Sequence, residues 1–130
     1  MNQQLAQIAL VVREYDEAIN FYTQKLKFQV IEDISRSATK RWVVIAPPGD
    51  QLTCRLLLAK AKNEVQAAAI GNQTGGRVFL FLYTDDFWRD YKNMQEVGIE
   101  FTREPFEADF GIACNFKDLY GNIWDFIELK

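Results

Sequence analysis

Hydrophobic and polar positions follow one plan along this chain, and the plan is written twice. Residues 5–12 form an apolar strand candidate. Successive strand side chains point to opposite sides, so Gln7, Ala9 and Val11 share one face and Ile8, Leu10 and Val12 the other. Glu14 and Glu17 follow at the spacing of a weak capping box. Ala18, Phe21, Tyr22 and Leu26 then recur at helical spacing, which predicts a helix to about residue 26 with one buried side. Residues 28–34 read as a strand of mixed apolar and acidic residues, 35–40 as a polar loop and 41–46 as a further strand. Pro47, Pro48, Gly49 and Asp50 give a strong turn signal, and 53–59 read as the returning strand. The first module is therefore β-α-β-β-β.

The second module repeats the order. Residues 77–84 read as a strand with Val78, Leu80 and Leu82 on an aliphatic face and Phe79, Phe81 and Tyr83 on the other. Asp85 or Asp86 caps a helix that Gly98 ends. Residues 101–104 predict a short strand stopped by Pro105, 112–116 a strand, 119–122 a turn, and 123–129 the closing strand. Between the modules, Ala67, Ala68, Ala69 and Ile70 predict a short helix that Gly71, Gly75 and Gly76 break. A connection of this length inside a compact domain reads as a lid or a partner contact. The expected organisation is one domain over 1–130, with module one at 1–59, a linker at 60–76 and module two at 77–130. The expected class is α+β: two paired β-α-β-β-β modules forming a curled mixed sheet around a central cavity. The aliphatic faces are expected to pack on their own helices. Gln7, Ala9, Val11, Phe79, Phe81 and Tyr83 are then left to enclose the cavity.

Composition narrows the function. With 130 residues and a net charge of −3, the chain lacks the basic surplus of a nucleic-acid binder. No apolar run approaches the roughly 20 residues of a membrane span, and Met1-Asn2-Gln3-Gln4 lacks the regions of a signal peptide. A cytoplasmic location is the expectation. Cys54 and Cys114 have no closely spaced partner and read as reduced, buried residues, with a disulfide between them as the alternative. The chain has no histidine, so no Ser–His or Cys–His nucleophile is available.

Two segments carry a resemblance. Ala18-Ile19-Asn20-Phe21-Tyr22 followed by Leu26-Lys27-Phe28 is similar to a pattern A-x-x-F-Y…L-G-F. Asp118-Leu119-Tyr120-Gly121-Asn122-Ile123-Trp124-Asp125-Phe126-Ile127-Glu128 is similar to D-P-x-G-N-x-x-E-L-x-E. In this order and spacing the chain resembles the vicinal oxygen chelate superfamily, which includes glyoxalase I, bleomycin-resistance proteins and extradiol dioxygenases. The resemblance covers nearly the whole chain. It implies a homodimer and, in metal-dependent members, four ligands that point into the cavity from four strands.

Those ligand positions fall on Gln7, Arg55, Phe79 and Asp125. Divalent catalytic metals need several N or O donors. Gln7 is a neutral donor, Asp125 a single carboxylate, and Phe79 coordinates nothing. Arg55 brings a charge that cannot be removed by deprotonation, and like charges about 4 Å apart repel by about 4 kcal/mol at an effective dielectric near 20. No metal and no other cofactor is therefore expected. Arg55 is expected to pair with Asp125, because an unpaired buried carboxylate is costly; the alternative has Arg55 outward and Asp125 solvated. The expected function is metal-free binding of a small planar or aromatic ligand by a cavity that includes Gln7, Ala9, Arg55, Leu57, Phe79, Phe81, Tyr83 and Asp125. Three alternatives stay open. One is a glyoxalase-type lyase or dioxygenase holding a divalent metal through atypical ligands. Another is a metal-free acid–base enzyme with Asp125 as base and Tyr83 or Arg55 as electrophilic partner. The last is a dimeric regulator without catalysis.

Overall fold

The computed structural model describes residues 1–49 and 53–130. Asp50, part of the expected turn, lies outside the described residues. The chain divides into two compact units, Met1–Ile70 and Gly71–Lys130.

The first unit runs β1 (Gln7–Val12), α1 (Tyr15–Leu26), β2 (Gln29–Ser35), β3 (Arg41–Ala46), β4 (Arg55–Lys60) and α2 (Glu64–Ala69). Its sheet has the order β1-β4-β3-β2. The chain leaves β1 through α1, builds an antiparallel meander, and returns with β4 parallel to β1. Register sets the layers. Leu10 lies beside Leu58 and Leu58 opposite Val43, while Leu56 lies opposite Ile45. These residues are buried together with Val12 and with Ala18, Tyr22 and Leu26 of α1. Each such side chain contributes about 1.5–3 kcal/mol of burial, so the aliphatic face holds the unit together and the opposite face is left for other work.

Helix α1 begins at Glu14, whose backbone is extended but whose side chain makes no cap hydrogen bond. The Glu14 carboxylate instead meets Lys60 Nζ at 3.2 Å, and Glu17 pairs with Arg13 at 2.7 Å. The helix ends at Lys27 with φ 64°, where the resembled pattern carries glycine. The Phe28 amide donates to the Tyr22 carbonyl at 2.9 Å. A side chain in this left-handed region costs about 1–2 kcal/mol, which the closing hydrogen bond offsets.

The second unit runs β5 (Val78–Tyr83), α3 (Phe87–Glu96), β6 (Glu100–Ala108), β7 (Gly111–Lys117) and β8 (Ile123–Leu129). Its order, β5-β8-β7-β6, repeats the first sheet, again with the first and last strands of the unit, β5 and β8, parallel neighbours. Two carboxylates meet the positive end of α3. Asp86 accepts from the Arg89 amide at 3.2 Å, and Glu128, reaching from β8, accepts from the Phe87 amide at 2.7 Å. Trp124 and Phe126 pack on the helix side of the sheet, as alternation predicts. Phe126 lies 5.5 Å from Phe87, and Trp124 stacks on Phe116 at 5.8 Å.

Three expectations need correction. Strand β6 does not stop at Pro105 but continues to Ala108. It is one of the sheet's two outer strands, and its register shifts between Arg103 and Phe106. A proline with no N–H to give is tolerated there because no ladder partner needs it. Helix α2 starts before the alanine run, because Asn63 caps it by accepting from the Gln66 amide at 2.9 Å. Cys54 is exposed, not buried, since it sits in the loop before β4; Cys114 is buried, and both thiols are free. Burial, with the charge of Asp125 second, pushes the Cys114 thiol up to about 12, so it stays protonated at neutral pH. One thiol per native chain is expected to react within minutes with a thiol-specific reagent, and the second only on unfolding; two fast thiols would contradict this packing. Among the described residues, no helix is long and apolar enough to cross a membrane.

Candidate functional site

The face of each sheet turned away from its own helix carries the residues singled out by the sequence. In the first unit, Gln7 lies directly beside Arg55 on the parallel strands β1 and β4. The next row is Ala9, Leu57, Val44 and Glu32. Trp42 shares this face, since its indole Nε1 donates to Glu32 Oε2 at 2.9 Å. Glu32 and its neighbour Asp33 point to opposite faces of β2. The structure sends them to different partners, Asp33 accepting from Arg41 at 2.6 Å.

In the second unit, one row crosses all four strands. Arg103 of β6 lies opposite Asn115 of β7, Asn115 opposite Asp125 of β8, and Asp125 beside Phe81 of β5. The neighbouring row is Phe106, Ala113, Ile127 and Tyr83. Phe81 and Tyr83 are 61% and 60% exposed, far from the burial of ordinary core aromatics. Phe79 sits where β5 slips against β8, between Val78 opposite Ile123 and Leu80 opposite Trp124. A slip of this kind frees one residue from direct pairing.

Asp125 is the only one of the four ligand-equivalent residues with a carboxylate. Asn115 Nδ2 donates to its Oδ1 at 2.7 Å. Partial burial raises the carboxyl above its ordinary range, while the Asn115 hydrogen bond and the charge of Arg103 pull it back. Arg103 itself lies over a ring, its guanidinium carbon 3.6 Å from the Phe106 centroid. Such a cation–π contact is worth about 0.5–1 kcal/mol at an exposed site, enough to bias where a long side chain rests.

The donor set bears on the metal that the resemblance raises. Beside Gln7 stands a guanidinium, Phe79 has no donor atom, and Asp125 already shares one oxygen with Asn115. Among the described residues, no group of three or more His, Cys, Asp or Glu side chains gathers to hold an ion. Neither the first unit's pair nor the second unit's pair offers the donors that a divalent cation needs.

Sequence reasoning missed Arg103, Asn115, Phe106 and the Trp42–Glu32 pair. Asn115 alternates with Ala113 and Lys117, and that pattern names a face without showing that its neighbours on the two adjacent strands are charged. Arg103 is hidden by its nearness to Pro105, which reads as a strand end.

Comparison with known proteins places this geometry. Residues 4–126 match the family model of the Glyoxalase/Bleomycin resistance protein/Dioxygenase superfamily. An uncharacterised protein of Shewanella frigidimarina (strain NCIMB 400) is 57% identical over 131 residues, covering 100% of this chain and 96% of that protein. The crystal structure of UcmS2 is similar with a TM-score of 0.83 at 26% identity, covering 98% of each chain. That of TnmS3, an antibiotic-binding protein from Streptomyces sp. CB03234, has a TM-score of 0.76 at 22% identity, covering 99% of this chain and 98% of that one. The likeness to TnmS3 is one of fold.

Proposed function

Because the chain belongs to the Glyoxalase/Bleomycin resistance protein/Dioxygenase superfamily, we propose that it binds a small planar or aromatic ligand and does so without a metal. The observation that carries this reading is the exposed aromatic and polar face of the second sheet, where Phe81 stands beside Asp125 and Tyr83 follows in the next row. Ligand sites are mostly apolar with a few placed polar groups, and this face has that make-up. Exposed aromatic surface in a soluble chain marks a binding surface more often than chance would. Antibiotic binding by TnmS3, which shares the fold, adds support for a ligand of this size.

The metal-free part rests on the donor set. Of the ligand-equivalent residues, those of the first unit bring a neutral amide and a fixed positive charge, and those of the second a hydrocarbon ring and one carboxylate, too few donors for a catalytic metal. We further propose that the protein works as a homodimer in the cytoplasm, a reading supported by the resemblance and by the composition.

Titration calorimetry of the intact chain against a panel of planar aromatic compounds tests the proposal. At least one is expected to bind with a dissociation constant of about 10 μM or tighter, roughly −7 kcal/mol, and chelator treatment is expected to leave that affinity unchanged. Absence of binding across the panel would overturn the ligand reading. Stoichiometric nickel, zinc, iron or manganese in protein purified without chelators would overturn the metal-free part.

A further inference from the structure

We propose that the first sheet binds a planar aromatic carboxylate. The carboxylate meets the Arg55 guanidinium and the Gln7 side-chain amide, and the ring lies over Ala9 and Leu57 with its far edge toward Trp42. The inference rests on the small-molecule reading above and assigns a charge to the ligand.

Alternation and register build the charged end. Leu56 and Leu58 are buried on the helix side of β4, so Arg55 and Leu57 project from the opposite face. Gln7 stands directly beside Arg55 in the parallel register of β1 and β4. Both residues are half-buried, and neither side chain has a partner among the described residues. A guanidinium that has lost part of its water without gaining a counter-ion is set to take an anion from solution. Its planar fork matches a carboxylate through two parallel N–H···O bonds, and Gln7 adds a neutral N–H donor. One fixed positive charge balances one carboxylate, whereas a phosphate dianion would keep a surplus charge.

The apolar floor is the next row. Ala9, Leu57 and Val44 lie side by side on β1, β4 and β3. Val44 is fully buried, Leu57 half-buried and Ala9 exposed. The single methyl of Ala9 keeps the surface low over β1, where a flat ring can rest. Rows on one face are about 7 Å apart, so a carboxylate held at Arg55 puts a bicyclic arene over Ala9 and Leu57. Trp42 stands one row further along β3, its indole held by the hydrogen bond to Glu32 Oε2 at 2.9 Å. A ring already tethered loses little freedom on contact and offers apolar surface to the far edge of the ligand. Glu32 also sets the direction, because a carboxylate at the Trp42 end would meet a like charge.

Calorimetry of the intact chain with 2-naphthoate, its neutral isostere 2-naphthamide and 2-naphthyl phosphate tests this. The carboxylate is expected to bind about tenfold tighter than the amide, or about 1.4 kcal/mol, and no weaker than the phosphate. Arg55→Met, which keeps an unbranched stem and removes the charge, is expected to abolish the preference over the amide. Arg36→Gln, which removes the same charge from the exposed loop after β2, is expected to leave it in place. Trp42→Leu is expected to weaken carboxylate and amide alike by about fivefold, keeping their ratio. Far-UV circular dichroism checks that the variants fold, and the wild-type preferences decide the matter without them. Equal binding of carboxylate and amide, tighter binding of the phosphate, or a preference that survives Arg55→Met overturns this inference and leaves the ligand-binding reading standing. If none of the three binds, this inference falls and the wider panel above judges that reading.

Discussion

Replacing Asp118 by alanine is expected to destabilise the protein by about 3–5 kcal/mol, the range for removing one partner of a buried charged network. Asp118 is 5% exposed, at the turn between β7 and β8. Its Oδ1 accepts from the amides of Tyr120, Gly121 and Asn122 at 3.0–3.1 Å. Its Oδ2 accepts from Asn122 Nδ2 at 3.0 Å and from the Trp124 indole at 3.3 Å. Alanine removes the carboxylate from five donors and leaves a small void; the Gly121 amide keeps the Asp118 carbonyl at 3.1 Å, but the Asn122 and Trp124 groups are too buried to find water. Asp118→Asn keeps the shape but turns one acceptor into a donor facing donors, so it is expected to lose more than half as much. Urea unfolding followed by circular dichroism measures both. A loss under about 1 kcal/mol for alanine, the size of one ordinary hydrogen bond, would show that the carboxylate does not organise this turn.

Gly111→Ala is expected to cost about 4 kcal/mol, combining an unfavourable backbone conformation with overpacking. Gly111 has φ +145°, and a Cβ built there would lie 2.0 Å from the Glu128 carbonyl oxygen. That oxygen belongs to the backbone of β8, so relief requires separating β7 from β8 at the end where Gly111 lies opposite Leu129. Gly98 is the internal control. Its φ is +81° with nothing within 4 Å of the added carbon, so Gly98→Ala carries only the conformational cost, about 1 kcal/mol. Equal unfolding midpoints for the two variants would mean that β7 and β8 have slack that the close approach at Gly111 denies.

Most of the architecture was legible because it is carried by alternation and helical period. Ile8, Leu10 and Val12 declare the helix-facing side of β1, and Leu56 and Leu58 repeat that declaration on β4, so local pattern and tertiary layer agree. Where a position depends on register, the sequence is silent. Nothing local says that Asn115 will stand between Arg103 and Asp125, because each lies on a different strand and the meeting is set by how three strands slide together. Pro105 misled for a related reason. Its rule as a strand breaker applies to interior strands, and whether β6 is interior or outer is a property of the finished sheet. Gln7 and Arg55 could be placed on one face from alternation, but their direct adjacency needed the parallel pairing of β1 with β4.

The outer strands β2 and β6 share a habit with a consequence for crowded solutions. All of β2 is exposed, including Val30, Ile31 and Ile34, and the open outer edge of such a strand invites another chain to extend the sheet. Its pairing is broken by an irregularity between Val30 and Glu32, and that of β6 by irregularities flanking Arg103. Glu32 and Asp33 add acidic charge to the first, Pro105 a missing donor to the second. Neither margin offers a straight, uninterrupted template, so growth into fibrils through these two strands is blocked by the same kinks that shape the sheets.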